Sequence, residues 1–215
     1  MSAFIPKFSI VLTTYNREQY IERAILSVIQ QTESNWELLV IDDGSTDNTE
    51  KLIQPYLNIN QSVYYFKQEN RGEVSAKNRG ISLSCGEYIT FLDSDDAYKM
   101  EHLQYRSQII NQHPMVDLLY GGVEVIGDEF VPDRRNKGRR IHLSDCVIGG
   151  TFFIKREVLF ELGGFRTIDI GADADLFDRI VRAKKNILKM NSPTYIYHRE
   201  YEDSITHNYF QERKH

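Results

Sequence analysis

A chain of 215 residues, 41% of them hydrophobic, is long enough to bury a core without disulfides or a partner subunit. Its formal charge of −5, from 26 Lys and Arg against 31 Asp and Glu, lacks the basic excess of a general nucleic-acid binder and points to a smaller partner. Cys85 and Cys146 lie far apart without metal-ligand spacing and read as reduced thiols, the stretch 1–8 is too short and broken for a secretory signal, and no apolar run reaches the ~18 residues that span a bilayer. The expected location is the cytoplasm.

In chain order, a β-branched run over 8–13 reads as a strand, and 18–31 as a helix with Ile21, Ala24, Ile25, Val28 and Ile29 on one stripe. A buried strand is expected over 36–41. Asp47 with Glu50 three residues on resembles a capping pair for a second helix, which Pro55 should end. A strand over 63–66, a helix over 73–84 and a strand over 87–92 complete three βα units. The pattern then loosens into a helix over 102–112, a strand over 116–125, a polar stretch over 127–140, an apolar one over 147–154, and a short helix over 156–162 broken by Gly163-Gly164. A last helix is expected over 173–184, and the Tyr-rich tail after Asn191 shows no period. Alternating strands and helices mark a parallel sheet with crossover helices. One domain is expected, with a regular half over about 1–97 and an irregular half over about 98–215.

Strands of a parallel sheet present their C-terminal ends at one edge, where ligands bind. Three polar clusters follow strands here: Thr13-Thr14-Tyr15-Asn16-Arg17, Asp42-Asp43-Gly44-Ser45 and Asp93-Ser94-Asp95-Asp96. Each alone could be an ordinary turn with capping carboxylates, but their convergence on one edge favours a site. Like charges as close as Asp93, Asp95 and Asp96 repel unless water solvates them or a cation neutralises them. Transfer from a nucleotide diphosphate suits this set: Mg²⁺ or Mn²⁺ favours oxygen ligands and neutralises a departing diphosphate, Tyr15 could stack on a base, and Asp43 could accept from a base N–H.

The runs Phe8-Ser-Ile-Val-Leu-Thr-Thr-Tyr-Asn-Arg17, Gln31-Thr-Glu-Ser-Asn-Trp-Glu-Leu-Leu-Val-Ile-Asp-Asp-Gly-Ser-Thr-Asp47, Glu69-Asn-Arg-Gly72, Ala76-Lys-Asn-Arg-Gly80 and Gly86-Glu-Tyr-Ile-Thr-Phe-Leu-Asp-Ser-Asp-Asp96 closely resemble the family 2 inverting glycosyltransferases. The resemblance covers 8–96 and resumes at 149–165 and 173–180. It implies a GT-A fold, a Rossmann-like α/β/α sandwich with a mostly parallel central sheet. It also implies metal-dependent transfer of a hexosyl or N-acetylhexosaminyl group, from a UDP-sugar first of all, to a hydroxyl of a saccharide or lipid-linked acceptor in cell-surface polysaccharide or glycoconjugate synthesis. Thr13, Tyr15 and Asp43 fall where the family holds the nucleobase, with Arg17 in the same cluster. Lys77 and Asn78 match a segment bordering the nucleotide. Asp93 and Asp95 match its Asp-x-Asp element, Asp93 toward the ribose and Asp95 on the metal, with Asp93 and His198 as further candidate ligands.

Inversion needs a base that deprotonates the acceptor hydroxyl opposite the diphosphate. The resemblance gives this role to Asp173, with Asp175 as the alternative, and Ala172 stands where the family commonly has Glu. Helix capping is the competing role for both carboxylates. The basic run Arg134, Arg135, Lys137, Arg139 and Arg140 is a solvated loop face or a contact to an anionic membrane or lipid-linked phosphate, which would seat the protein peripherally at the inner membrane face. A sugar-nucleotide pyrophosphorylase would want a Gly-rich loop after the first strand, and a dehalogenase-like phosphatase would want its Asp-x-Asp there. A non-catalytic nucleotide- or metal-binding α/β module remains as the alternative and leaves Tyr15 and Asp173 unexplained.

Overall fold

The computed structural model describes residues 5–200 except 134, 135, 137 and 169. The strands are β1 (Phe8–Thr14), β2 (Trp36–Asp42), β3 (Val63–Lys67), β4 (Tyr88–Asp93), β5 (Ala97–Tyr98), β6 (Leu118–Gly127), β7 (Phe130–Pro132), β8 (Arg140–His142), β9 (Phe153–Lys155) and β10 (Ile187–Arg199). The helices are α1 (Ile21–Ile29), α2 (Thr49–Ile59), α3 (Glu73–Leu83), α4 (His102–Gln112), α5 (Arg156–Leu162) and α6 (Ala172–Arg182). Eight strands form one sheet in the order β3-β2-β1-β4-β9-β6-β10-β5, and β7 with β8 makes a separate hairpin from the polar stretch. β1 pairs in parallel with β2 and β4, β2 with β3, and β6 with β10, while β9 runs antiparallel between β4 and β6.

Every residue of β1 and β2 is buried, as central strands covered on both faces must be. Successive side chains of β1 point to opposite layers: Ile10 and Leu12 pack with Ile21, Ile25 and Ile53, whereas Val11 packs with Ala76, Leu159 and Ile180. The apolar stripe read on α1 is thus the face that meets the first layer. On the other face, α3 lies so close to the sheet that a Cβ at Gly80 would sit 2.2 Å from Val11 Cγ1.

Three expectations need correction. Pro55 does not end α2, which runs on to Ile59; burial of Ile53 and packing of Tyr56 and Leu57 against the core outweigh the single helical hydrogen bond that Pro55 removes. The presumed capping pair splits: Asp47 accepts from the Thr49 N–H at 3.0 Å, while Glu50 pairs with Lys67 on β3 at 2.8 Å. The described part of the tail belongs to a long strand, β10, whose register against β6 shifts between Met190 and Tyr195; that irregularity, with Pro193 inside it, erases the alternation a strand would show in sequence. Both cysteines are free thiols, as expected. Among the described residues no helix is long and apolar enough to cross a membrane.

Candidate functional site

The C-terminal ends of β1, β2 and β4 open into a cleft of about 450 Å³ lined by Thr13, Tyr15, Arg17, Asp43, Lys77, Asp93, Asp95, Asp173 and His198 among others. The three strand-end clusters therefore meet, and the late aspartate joins them. Asn78 and Asp175 do not line the cleft.

The loop after β1 is cross-tied to the turn after β2. Asn16 takes a left-handed backbone (φ 50°), its N–H donates to Ser45 Oγ at 2.9 Å, and its side-chain oxygen accepts from the Thr46 N–H at 2.8 Å. Asp42 is wholly buried and structural, accepting from the Ser45 N–H and the Tyr65 hydroxyl, each at 2.7 Å. Asp43 reaches across to the loop before α3: Oδ1 accepts from Gln68 Nε2 (2.6 Å) and the Arg71 N–H (3.0 Å), and Oδ2 from the Gly72 N–H (2.7 Å). Its carboxylate thus shapes this wall of the cleft. Tyr15 stands 45% exposed at the rim.

The acidic cluster divides in three. Asp93 faces Lys77 Nζ at 3.2 Å, and Lys77 also pairs with Glu73 one helical turn earlier. Burial pulls the Lys77 ammonium pKa down, but Asp93 and Glu73 together outweigh it and the net shift is upward, so the residue is a fixed cation. Asp95 offers its carbonyl to the Arg23 guanidinium and lines the cleft. Asp96 points inward, fully buried, and accepts from the Tyr195 hydroxyl (2.5 Å) and the His198 N–H (2.8 Å). It fastens the end of β10 beside the other two carboxylates, which explains why a third aspartate follows the Asp-x-Asp pair.

Tyr195 also reaches the opposite wall. A Cβ at Gly150 would lie 2.3 Å from its hydroxyl oxygen, and Gly149 next to it donates its N–H to Asp173 Oδ2 at 3.1 Å. Gly150→Ala is therefore expected to displace Tyr195 and cost about 1–3 kcal/mol by overpacking, read as a lowered thermal midpoint.

Asp173 sits in the first turn of α6, with Oδ1 accepting from the Ala174 N–H at 2.8 Å. Burial raises its pKa, against the opposing pull of these two N–H groups and Lys77. Asp175 instead pairs with Arg179 Nε (2.8 Å), which in turn donates to the carbonyls of Leu162 and Gly164. Asn78 brackets the backbone of Phe165, donating to its carbonyl (2.9 Å) and accepting from its N–H (2.8 Å). Both residues stiffen one wall of the cleft from behind.

A sequence reading misses Glu73 and Tyr195 as parts of the site and does not pair Asp96 of the acidic cluster with Tyr195. The i,i+4 spacing of Glu73 to Lys77 was the only signal available; the other two act through a contact spanning 99 residues. Arg134, Arg135 and Lys137 lie outside the described residues. Arg140 is engaged with Asp128 and the Phe130 carbonyl within the β7–β8 hairpin.

The donor set suits a hard cation only in part. No cluster of three His, Cys, Asp or Glu groups among the described residues is placed to hold a metal. Two carboxylates, Asp93 and Asp95, line the cleft, and Mg²⁺ typically takes only one or two from protein. His198 Nδ1 lies 3.2 Å from Glu200 Oε1.

Comparison with known proteins agrees with this fold. The profile described as "Glycosyl transferase family 2" matches residues 9–177. An uncharacterized glycosyltransferase of Rickettsia typhi is 31% identical over 195 residues, covering 84% of this chain and 60% of that protein. The glycosyltransferase GlyA of Streptococcus pneumoniae is 34% identical over 211 residues, covering 89% of this chain and 30% of its own length. The chain thus spans less than two thirds of these relatives. Among solved structures, S. aureus TarS in complex with UDP superposes with a TM-score of 0.76 at 22% identity, covering 90% of this chain and 60% of that one. The mannosyltransferase PcManGT of Pyrobaculum calidifontis, solved with GDP-Man and Mn²⁺, gives 0.73 at 21% identity, covering 96% and 60%. The chain has a GT-A-like α/β fold and belongs to glycosyl transferase family 2.

Proposed function

We propose that this chain is a metal-dependent inverting glycosyltransferase domain that moves a hexosyl or N-acetylhexosaminyl group from a nucleotide-diphosphate sugar, UDP-linked first of all, to an acceptor hydroxyl. The observation that carries this reading is the entry of Asp93 and Asp95 from the end of β4, and of Asp173 from α6, into one cleft. Thr13, Tyr15, Arg17 and Asp43 make the nucleotide side, and Lys77, already neutralising Asp93, adds a buried cation near the ribose and phosphates. Asp95, with Asp93 or His198, would hold Mg²⁺ or Mn²⁺, which supplies Lewis-acid stabilisation of the departing diphosphate.

On the acceptor side, Asp173 takes the proton of the attacking hydroxyl as its oxygen bonds to the anomeric carbon, and the bond from that carbon to the diphosphate oxygen breaks on the opposite face. Burial makes the Asp173 carboxylate a stronger base than an exposed aspartate, and the Gly149 and Ala174 N–H groups fix its orientation. The cytoplasm is the proposed site of action, and saccharide or lipid-linked glycoconjugate synthesis the proposed context.

A thermal-shift panel of UDP-, GDP- and dTDP-sugars with and without Mn²⁺ tests the donor side, because a ligand at 100 times its Kd adds about 2.7 kcal/mol. One nucleotide class should raise the midpoint with Mn²⁺, and Asp95→Asn should abolish the metal-dependent part. Release of free nucleoside diphosphate separates a transferase from a non-catalytic nucleotide-binding module; metal-dependent binding without any release would favour the module.

A further inference from the structure

Gly149 and Gly150 lie in a buried turn on the Asp173 side of the cleft, and neither takes a left-handed backbone. Their missing side chains answer instead to what lies opposite. A Cβ on Gly149 would stand 3.0 Å from Asp173 Cβ, and one on Gly150 would stand 2.3 Å from the Tyr195 hydroxyl oxygen. Two neighbouring glycines thus seat Asp173 and Tyr195 on one turn.

Asp173 is held by two N–H groups of unequal reach. The Ala174 N–H belongs to the next residue of α6 and bonds Oδ1 wherever the helix goes. The Gly149 N–H reaches Oδ2 at 3.1 Å from a segment 24 residues earlier, so the plane of the carboxylate depends on where that turn sits. The turn is anchored to β6, where the Gly121 N–H donates to Thr151 Oγ1 at 3.0 Å, and it abuts Tyr195 at Gly150. Tyr195 is itself fixed. Its hydroxyl donates to Asp96 Oδ2 at 2.5 Å, and its ring packs edge-on to Tyr98 with centroids 5.7 Å apart. Thr194 Oγ1 beside it accepts from Arg106 Nη1 at 2.5 Å and lies 3.1 Å from His102 Nδ1. A buried phenol moves only by giving up such a bond, which makes Tyr195 a strut between the end of β4 and the turn that holds Asp173.

We propose that Tyr195 is a positioning residue for the base: its hydroxyl, held by Asp96, sets the Gly149–Gly150 turn, and the Gly149 N–H sets the Asp173 carboxylate. The word base rests on the transferase reading; the link from Tyr195 to Asp173 does not. Removing the hydroxyl leaves the ring, opens a gap between Asp96 and Gly150, and lets the turn settle away from Asp173. The Ala174 bond survives, so the carboxylate stays in the cleft without its fixed plane. Misplacement of this kind costs turnover rather than donor binding. Lys77 and Glu73 of α3 and the Cys146 thiol ahead of the turn act electrostatically on Asp173, and Tyr195→Phe retains all three.

The test follows backbone amides of the full chain, isotope-labelled at glycine and alanine nitrogen, across pH. In the native chain the Gly149 and Ala174 amides should both titrate with Asp173. In Tyr195→Phe the Ala174 amide should keep its amplitude, whereas that of Gly149 should fall by about half or more, because a hydrogen bond weakens steeply as its geometry opens. A purely structural role would lower the thermal midpoint and leave both amplitudes as they are, which would overturn the proposal. Turnover of Tyr195→Phe should fall by about tenfold or more with donor affinity within about twofold of native, the split expected of a misplaced base. Turnover equal to that of the native chain, or an equal loss in donor affinity, would also overturn it. Should Tyr195→Phe not fold, Asp96→Asn carries the test: it leaves ring and turn untouched, weakens the hold on the hydroxyl, and should lower the Gly149 amplitude by less, an unchanged amplitude counting against the proposal. Absence of nucleoside diphosphate release by the native chain would sink the transferase reading alone, since the amide titrations are read without turnover.

Discussion

Asp173→Asn should lower turnover by about 10²–10⁴ while donor binding is retained, the range for removal of a positioned general base. The substitution keeps the shape of the side chain and one acceptor oxygen for the Gly149 or Ala174 N–H, so the wall it belongs to stays in place. Loss of one backbone hydrogen bond to the buried carboxylate costs about 1–3 kcal/mol. Part of that is offset, because burial raises the pKa of Asp173 and so opposes its charge in the fold.

The sign is specific. A carboxyl with a raised folded pKa contributes stability while protonated and loses it as pH rises through that raised value, so above it the native chain carries a penalty that the asparagine does not. The native enzyme's rate should fall on the acid side at a pH above the ordinary aspartate range, and the variant's residual rate should lack that limb. Rates and donor affinity measured across pH check both. Near-native turnover in the variant would remove Asp173 from the base role, and Asp175, tied to Arg179 outside the cleft, could not replace it without rearrangement.

Asp96→Ala should be the most destabilising change at the acidic cluster. Its carboxylate is wholly buried and serves the Tyr195 hydroxyl and the His198 N–H. Truncation leaves two donors without acceptors and a void between β10 and the end of β4, at about 2–4 kcal/mol in sum. For a chain of this size that corresponds to roughly 5–15 °C in thermal midpoint. Asp96→Asn should cost less, since one oxygen remains as an acceptor and repulsion from Asp93 and Asp95, which together with burial pushes the Asp96 pKa well up, is relieved. Tyr195→Phe isolates the hydroxyl's share. A melting curve for Asp96→Ala superimposable on the native one would show that β10 is held by other contacts, the Arg106 guanidinium on Thr194 among them.

The front half of the fold was legible because its signals are local. Uninterrupted apolar runs such as 36–42 mark strands buried on both faces, and the stripe on α1 marks a helix lying on them. The site was legible to the same extent: a parallel sheet gathers its strand ends, so Thr13, Asp43 and Asp93 had to converge once the strands were placed. Residue type alone did not reveal which carboxylates face the ligand. Asp42 and Asp43 are adjacent, yet one is buried under Tyr65 while the other ties down the loop at the rim; Asp95 lines the cleft while Asp96 turns inward.

The sequence by itself determined the parallel sheet, its family and the edge at which chemistry gathers, because periodicity and turn residues act over a few positions. The tertiary structure decided the rest. It made residues 187–199 a strand in the sheet, left Asn78 and Asp175 out of the cleft and joined the two halves through Tyr195. Those outcomes depend on contacts such as Asn78 with Phe165, 87 residues apart, where packing and the need to satisfy buried donors fix the partner and no local pattern records it.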